Sequence, residues 1–303
     1  MKLDEKQVLH SRWPFWRVWR EKEWYFSCLH DPGAKIYFSW AFVRTYATDG
    51  FRFWWVDLGS DQTWSVDHRL YLEPGQAPER LDLRGGRPGY AVAFQGVDGQ
   101  PDRARLVYQD HRFQIDLEIL RRHPPFTRRD HTFENTYSLL HHVGNEARGT
   151  LTVDGRAHPI HTRRCYTDHC AGRVPRRTGW QWIAVQSDDV ALASLVNRGP
   201  DAQRYTQIYL DGRWVRLAEE VSFQYTPQDL SAPWQVTSVD MDLVVRPRRV
   251  HLDHVAVPPG LPLLYNVHHN ELFVEVDGRV RIDGTWRDVT GLTGVAEEHH
   301  GVW

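Results

Sequence analysis

The stretch H-H-V-G-N-E-A-R-G-T-L-T-V-D-G-R, His141 to Arg156, returns in altered form as H-H-N-E-L-F-V-E-V-D-G-R, His268 to Arg279. Each passes from a histidine pair through Asn-Glu into an alternating strand and ends on V-D-G-R. The first then reaches D-H-C-A-G, where Asp168 stands four before Gly172. The second reaches E-E-H-H-G, where Glu297 stands four before Gly301. Trp180 follows the first element and Trp303 the second. So many matches in one order read as an internal duplication of a β-domain. V-D-G-R recurs at an offset of 123 (277 minus 154) and the acid-Gly element at 129 (297 minus 168), which implies about six inserted residues. The boundary falls near Pro175–Gly179, dividing the chain into 1–176 and 177–303.

The rest of the pattern is all-β. Asp-Gly pairs begin at Asp49, Asp98, Asp154, Asp211, Asp277 and Asp283, and Asp-Gly suits tight hairpin turns because both central residues can take positive φ. In F-Q-I-D-L-E-I, Phe113, Ile115, Leu117 and Ile119 alternate with polar residues, the period of a strand with one buried face. Ala34–Tyr46, Phe51–Leu58, Phe133–His142, Gly179–Ser187, Val190–Val196, Tyr205–Leu210, Arg213–Ala218 and Glu271–Val276 also read as strands. No long stretch carries a helical stripe. Many short strands at close spacing imply barrels or sandwiches.

Composition narrows the function classes. The 303 residues allow two domains, and 37 basic residues balance 39 acidic ones, so nothing marks a nucleic-acid surface. No run is long enough to span a bilayer, and the start M-K-L-D-E-K-Q lacks an apolar signal core, so a cytoplasmic protein is expected. Three cysteines, an odd number, argue against a disulfide framework. The 14 Trp, 12 Tyr and 12 Phe fit both an aromatic core and an internal apolar pocket.

Cys165 and Cys170, with Asp168 and His169 between them, offer metal-ligand chemistry on paper. Residues five apart on an extended strand point to opposite faces, however, and the second copy has Glu297 but no cysteine. No metal is therefore expected, and the cysteines read as small buried hydrophobes. A carboxylate at Asp168 or Glu297 would have a raised pKa if buried away from cations, and could then act as a general acid. The competing reading pairs it with Arg164, Arg173 or Arg287. For Asp168 both readings stand, and for Glu297 the structural one is preferred. Trp180 and Trp182 share one face of a strand and could wall a cavity or pack a domain junction. Of two adjacent strand histidines one points in and one out, which makes His142 and His269 candidate polar tips.

The runs G-T-L-T-V-D-G-R, D-H-C-A-G-R and R-R-T-G-W-Q-W, with the terminal G-V-A-E-E-H-H-G-V-W, resemble the two-domain lipocalin-like superfamily of carotenoid 1,2-hydratase, tocopherol cyclase and the fungal decalin-forming Diels–Alderases. The similarity is traceable from about Trp19 to Trp303 and is most specific at D-x-x-x-G followed by W-x-W. It implies an all-β chain of two tandem lipocalin-like, calycin-type antiparallel barrels related by internal duplication, with a ligand pocket in or between them. It further implies a hydrophobic, unsaturated small-molecule substrate, no metal or organic cofactor, and water addition, proton-initiated cyclisation or pericyclic ring closure. Carried over by position, Asp168 is the proton donor, His142 its possible partner, and Trp180 and Trp182 the pocket wall. His169, Arg173, His269 and Glu297 complete the candidate set. A non-catalytic carrier of a lipid or pigment is the alternative.

Overall fold

In the computed structural model the described residues are 21–44, 49–70, 82–97, 100–131, 136–198, 204–218, 220–257 and 265–302. They form strands, turns and loops, with no helix among them. The chain divides into two compact units, Met1–Val174 and Pro175–Trp303. Each is a curled antiparallel sheet of the lipocalin-like barrel type.

The first unit opens with β1 (Glu21–Asp31), β2 (Ile36–Arg44), β3 (Asp49–Asp57) and β4 (Gln62–Leu70). A second run follows: β5 (Asp82–Arg87), β6 (Tyr90–Val97), β7 (Gln100–Gln109) and β8 (Phe113–Leu120). It ends with β9 (Phe126–His131), β10 (Thr136–Val153) and β11 (Arg156–Arg173). The strand order is β4-β3-β2-β1-β11-β10-β8-β7-β6-β5, with β9 paired to β10. The two ends of this path, β4 and β5, approach one another. The alternation read in F-Q-I-D-L-E-I is that of β8, whose Phe113, Ile115, Leu117 and Ile119 are all buried.

The second unit begins with β12 (Arg177–Gln186), β13 (Ala191–Asn197), β14 (Arg204–Leu210), β15 (Arg213–Arg216) and β16 (Ser222–Gln224). It continues with β17 (Trp234–Ser238), β18 (Met241–Val257), β19 (Tyr265–Ile282), β20 (Thr285–Asp288) and β21 (Leu292–Val302). Its order is β15-β14-β13-β12-β21-β19-β18-β17-β16, with β20 on β19. The first strand of each unit pairs with its last, β1 with β11 and β12 with β21, so both sheets are wound alike.

The duplication holds, but in a different register from the one the tetrapeptides suggest. Asp154-Gly155 makes the β10–β11 turn, both residues having positive φ. Asp277-Gly278 lies inside β19, and the matching turn is Asp283-Gly284. Gly149 and Gly278, at φ 146° and 149°, play one role: a side chain at either would collide with a backbone carbonyl of the neighbouring strand, Asp116 or Asp242. The offset is thus 129 throughout (278 minus 149, 283 minus 154, 297 minus 168), with no insertion between turn and acid. Of the other Asp-Gly pairs, Asp211-Gly212 turns between β14 and β15, Asp49 starts β3, and Asp98 lies outside the described residues.

Aromatic rings fill the first core. Phe42 packs on Phe51 at 4.8 Å between centroids, Phe53 on Phe113 at 5.2 Å and Phe51 on Tyr108 at 5.4 Å. Tyr25, Leu29 and Cys165 belong to the same cluster, which fixes the inward face of β1 and β11. In the second unit the core is aliphatic around Trp234, with Ile183, Leu272 and Ala296 marking the inward face of β12, β19 and β21. Burial of these faces is the main driving force for both units.

Candidate active site

The register of β11 settles which side chains meet. Cys165, Thr167 and His169 face the aromatic core, and Tyr166, Asp168 and Cys170 project from the other face. The two cysteines therefore diverge as an extended strand requires. All three cysteines are buried and free, and burial pushes the Cys165 thiol up to about 12. Among the described residues no group of three or more His, Cys, Asp or Glu side chains is arranged to hold a metal ion.

Asp168 sits in a row with His141 of β10 and Phe26 of β1. It is 5% exposed, and no ion pair reaches it among the described residues. Tyr166 donates its hydroxyl to Asp168 Oδ2 at 3.1 Å. Tyr166 is in turn bonded to His141 Nδ1, and the His141 ring stacks on Phe126 at 5.6 Å. Asp168 Oδ1 is buried without a hydrogen-bond partner. Burial raises the carboxyl to about 8, against smaller lowering effects of the Tyr166 hydroxyl and the nearby Phe26 amide. That shift favours the protonated carboxyl at neutral pH.

His142 does not join that group. It lies opposite Thr167, on the inward face, where its carbonyl accepts from Asn145 Nδ2 at 3.4 Å. His169 is also inward: its Nε2 is 2.8 Å from Glu23 Oε1, and its ring stacks on Tyr25 at 3.9 Å. Arg173 ends β11, and its side chain lies outside the described ones. The residues missed in the sequence are Tyr166 and His141. Tyr166 was within reach, because Y-T-D puts tyrosine and aspartate two apart on one face of a strand.

Trp180, Trp182, His269 and Glu297 belong to the second unit and cluster there. Trp180 Nε1 donates to Glu297 Oε2 at 3.0 Å, and its ring lies flat on His299 at 3.5 Å. His269 Nε2 stands 3.6 Å from Glu297 Oε1, and its Nδ1 stands 3.3 Å from His299 Nδ1. Trp182 is the register neighbour of Glu297. Glu297 is the positional match of Asp168, and Trp180 that of Trp24, which pairs with Cys170 as Trp180 pairs with His299. Arg287 lies 3.6 Å from Asp211, so it is not the cation expected beside Glu297.

A family model for a domain of unknown function, DUF2804, matches residues 2–303. The chain belongs to the DUF2804 family. No curated protein matches this DUF2804 chain. Among solved structures it is similar to kievitone hydratase from Nectria haematococca, with 12% identity, TM-score 0.70, and 100% of this chain and 92% of that chain covered. It is also similar to a Nitrosomonas europaea protein provisionally assigned as an AttH (15%, TM-score 0.63, 94% and 92% covered). A third is CghA, solved with Sch210972 (12%, TM-score 0.60, 93% and 88% covered). At these identities the likeness is one of fold.

Proposed function

We propose that the protein is a cofactor-independent enzyme that protonates a hydrophobic, unsaturated small molecule of terpenoid or polyketide type, with Asp168 as the acid. One observation carries this reading. Asp168 is a buried carboxyl with a raised pKa, one oxygen held by Tyr166 and the other without a partner. A general acid needs a pKa near the working pH and a proton aimed at the substrate.

Because Oδ2 accepts from Tyr166, the transferable proton belongs on Oδ1. In the forward step the π pair of a substrate C=C forms the new C–H bond with that proton. The O–H electrons stay on Asp168 as carboxylate, and the substrate becomes a carbocation. Tyr166 then stabilises the carboxylate through its hydroxyl, and His141 polarises Tyr166 from behind. Water or a second double bond supplies electrons to the cation, giving hydration or cyclisation, and the surplus proton returns to Asp168. Dehydration is the same sequence reversed. Among the described residues no cation is paired with Asp168, which suits a neutral substrate rather than a carboxylate or phosphate.

The test is mass spectrometry of apolar compounds extracted from the purified protein, followed by incubation of each with fresh enzyme in deuterated water. Deuterium gained at carbon by the wild type and lost in Asp168→Asn supports the acid. A compound that binds and leaves unchanged would make the protein a carrier. Conversion that survives Asp168→Asn would make it a pericyclase acting by shape.

A further inference from the structure

The E-E-H-H run splits between the two faces of β21. Glu298 and His300 share the face of Ala296, where Glu298 accepts from Asn270 Nδ2 at 2.9 Å and lies 3.1 Å from the exposed His300 Nδ1. Glu297 and His299 turn to the opposite face, the one that in the first unit carries Asp168. The partners at this duplicated position differ in kind. Asp168 has a phenol and apolar neighbours. Glu297 has an indole N–H at one oxygen and an imidazole near the other.

Two hydrogen bonds and one longer polar approach run in series toward Glu297. Thr178 Oγ1 is 3.0 Å from His299 Nε2, His299 Nδ1 is 3.3 Å from His269 Nδ1, and His269 Nε2 is 3.6 Å from Glu297 Oε1. With both rings neutral, one tautomer set fits this order. Thr178 donates to His299, His299 to His269, and His269 points its remaining N–H at the carboxylate. Trp180 donates from the other side. In this set the donors run toward Glu297, the arrangement of a proton acceptor rather than a proton source. His299 is fully buried, whereas Trp180 and Thr178 are half-buried, so the cluster reaches the surface at that edge.

We propose that Glu297, with His269 and His299, is a second proton-transfer site that acts as a general base on a flat, neutral, unsaturated carbon acid lying against the tryptophan. The bond broken is a substrate C–H. Glu297 takes the proton, and the electron pair stays on the substrate, to be delocalised or to expel a leaving group. Glu297 then returns the proton to the product or releases it to solvent at the half-buried edge formed by Trp180 and Thr178, while the imidazoles hold the carboxylate in place. This site stands apart from the Asp168 reading, because it is built from other strands and needs no acid.

The probe is nitrobenzisoxazole, a flat neutral ring whose only demand is a base. Removal of its C–H proton forms the nitrile, breaks the ring N–O bond and releases a coloured cyanophenolate. Wild-type protein is expected to turn it over faster than acetate and imidazole at the same concentrations. Glu297→Gln is expected to lower kcat/KM by about 100-fold. Trp180→Phe keeps a ring but removes the N–H that favours the carboxylate, so the acidic limb of the pH profile moves to higher pH. The other titratable register neighbours on this face are His269, His299 and Glu271. Turnover no better than the free bases, or full turnover in a folded Glu297→Gln protein, overturns the proposal. Should Glu297→Gln fail to fold, an unmoved acidic limb in Trp180→Phe does so instead.

Discussion

Tyr166 and Asp168, two residues apart on one strand, share its outward face, and the phenol donates to one oxygen of a carboxyl whose other oxygen has no partner. The pair joins two effects that usually compete. Burial drives the carboxyl toward its neutral form, and the phenol keeps the ionised form within reach. A group so placed can release a proton and take it back.

Tyr166→Phe removes a donor that favours the ionised form. The Asp168 pKa is expected to rise further, moving the basic limb of kcat/KM to higher pH. The carboxylate left after proton transfer loses its partner, so kcat is expected to fall by roughly 10- to 100-fold. A pH profile on a turnover substrate checks both effects.

Asp168 also makes stability depend on pH. Its pKa is raised in the folded state from 3.8 to about 8, so between those values the folded protein holds a proton that the unfolded chain has released. Stability therefore falls as pH rises through this window, with no cost below it and the full cost above it. Asp168→Asn removes the titration and is expected to stabilise the protein above about pH 8 by a few kcal/mol, and much less near pH 4. Urea melts across that range measure the difference.

The duplicated glycines test the corrected register. Gly149→Ala and Gly278→Ala each place a methyl group against a neighbouring carbonyl at a φ that suits glycine. Each is expected to cost about 2–4 kcal/mol, and the two costs are expected to be similar. Calorimetry should show a lower Tm in both variants.

His169 is read as structural. Removing its ring in His169→Ala leaves Glu23, fully buried, without its imidazole partner. The expected loss is about 3–5 kcal/mol in a denaturant melt, with the pH profile of turnover unmoved.

Much of this was legible in the sequence. The alternation in β8 and the Asp-Gly turns at Asp154, Asp211 and Asp283 gave strands and hairpins because they are local signals. The repeat was real, yet the identical V-D-G-R letters misaligned it. In β19 the same letters serve a close backbone approach rather than a turn, and only pairing reveals that. Asp168 stood out through the acid-Gly repeat. Its partner did not, because choosing His141 over His142 requires knowing that Asp168 faces residue 141 across the ladder, just before an irregularity in β10. Trp180 and Trp182 are near Asp168 in sequence, but Trp180 contacts Glu297 and His299 and Trp182 pairs in register with Glu297, on a strand that joins them from the far end of the chain.

The central claim is that Asp168 is a protonated acid at neutral pH. Infrared difference spectroscopy of wild type against Asp168→Asn, titrated in deuterated buffer, observes its carboxyl stretch directly. A protonated-carboxyl band present at neutral pH, absent from Asp168→Asn and disappearing with a midpoint near 8 is the expected result. A band already lost near 3.8, the ordinary value, would contradict it.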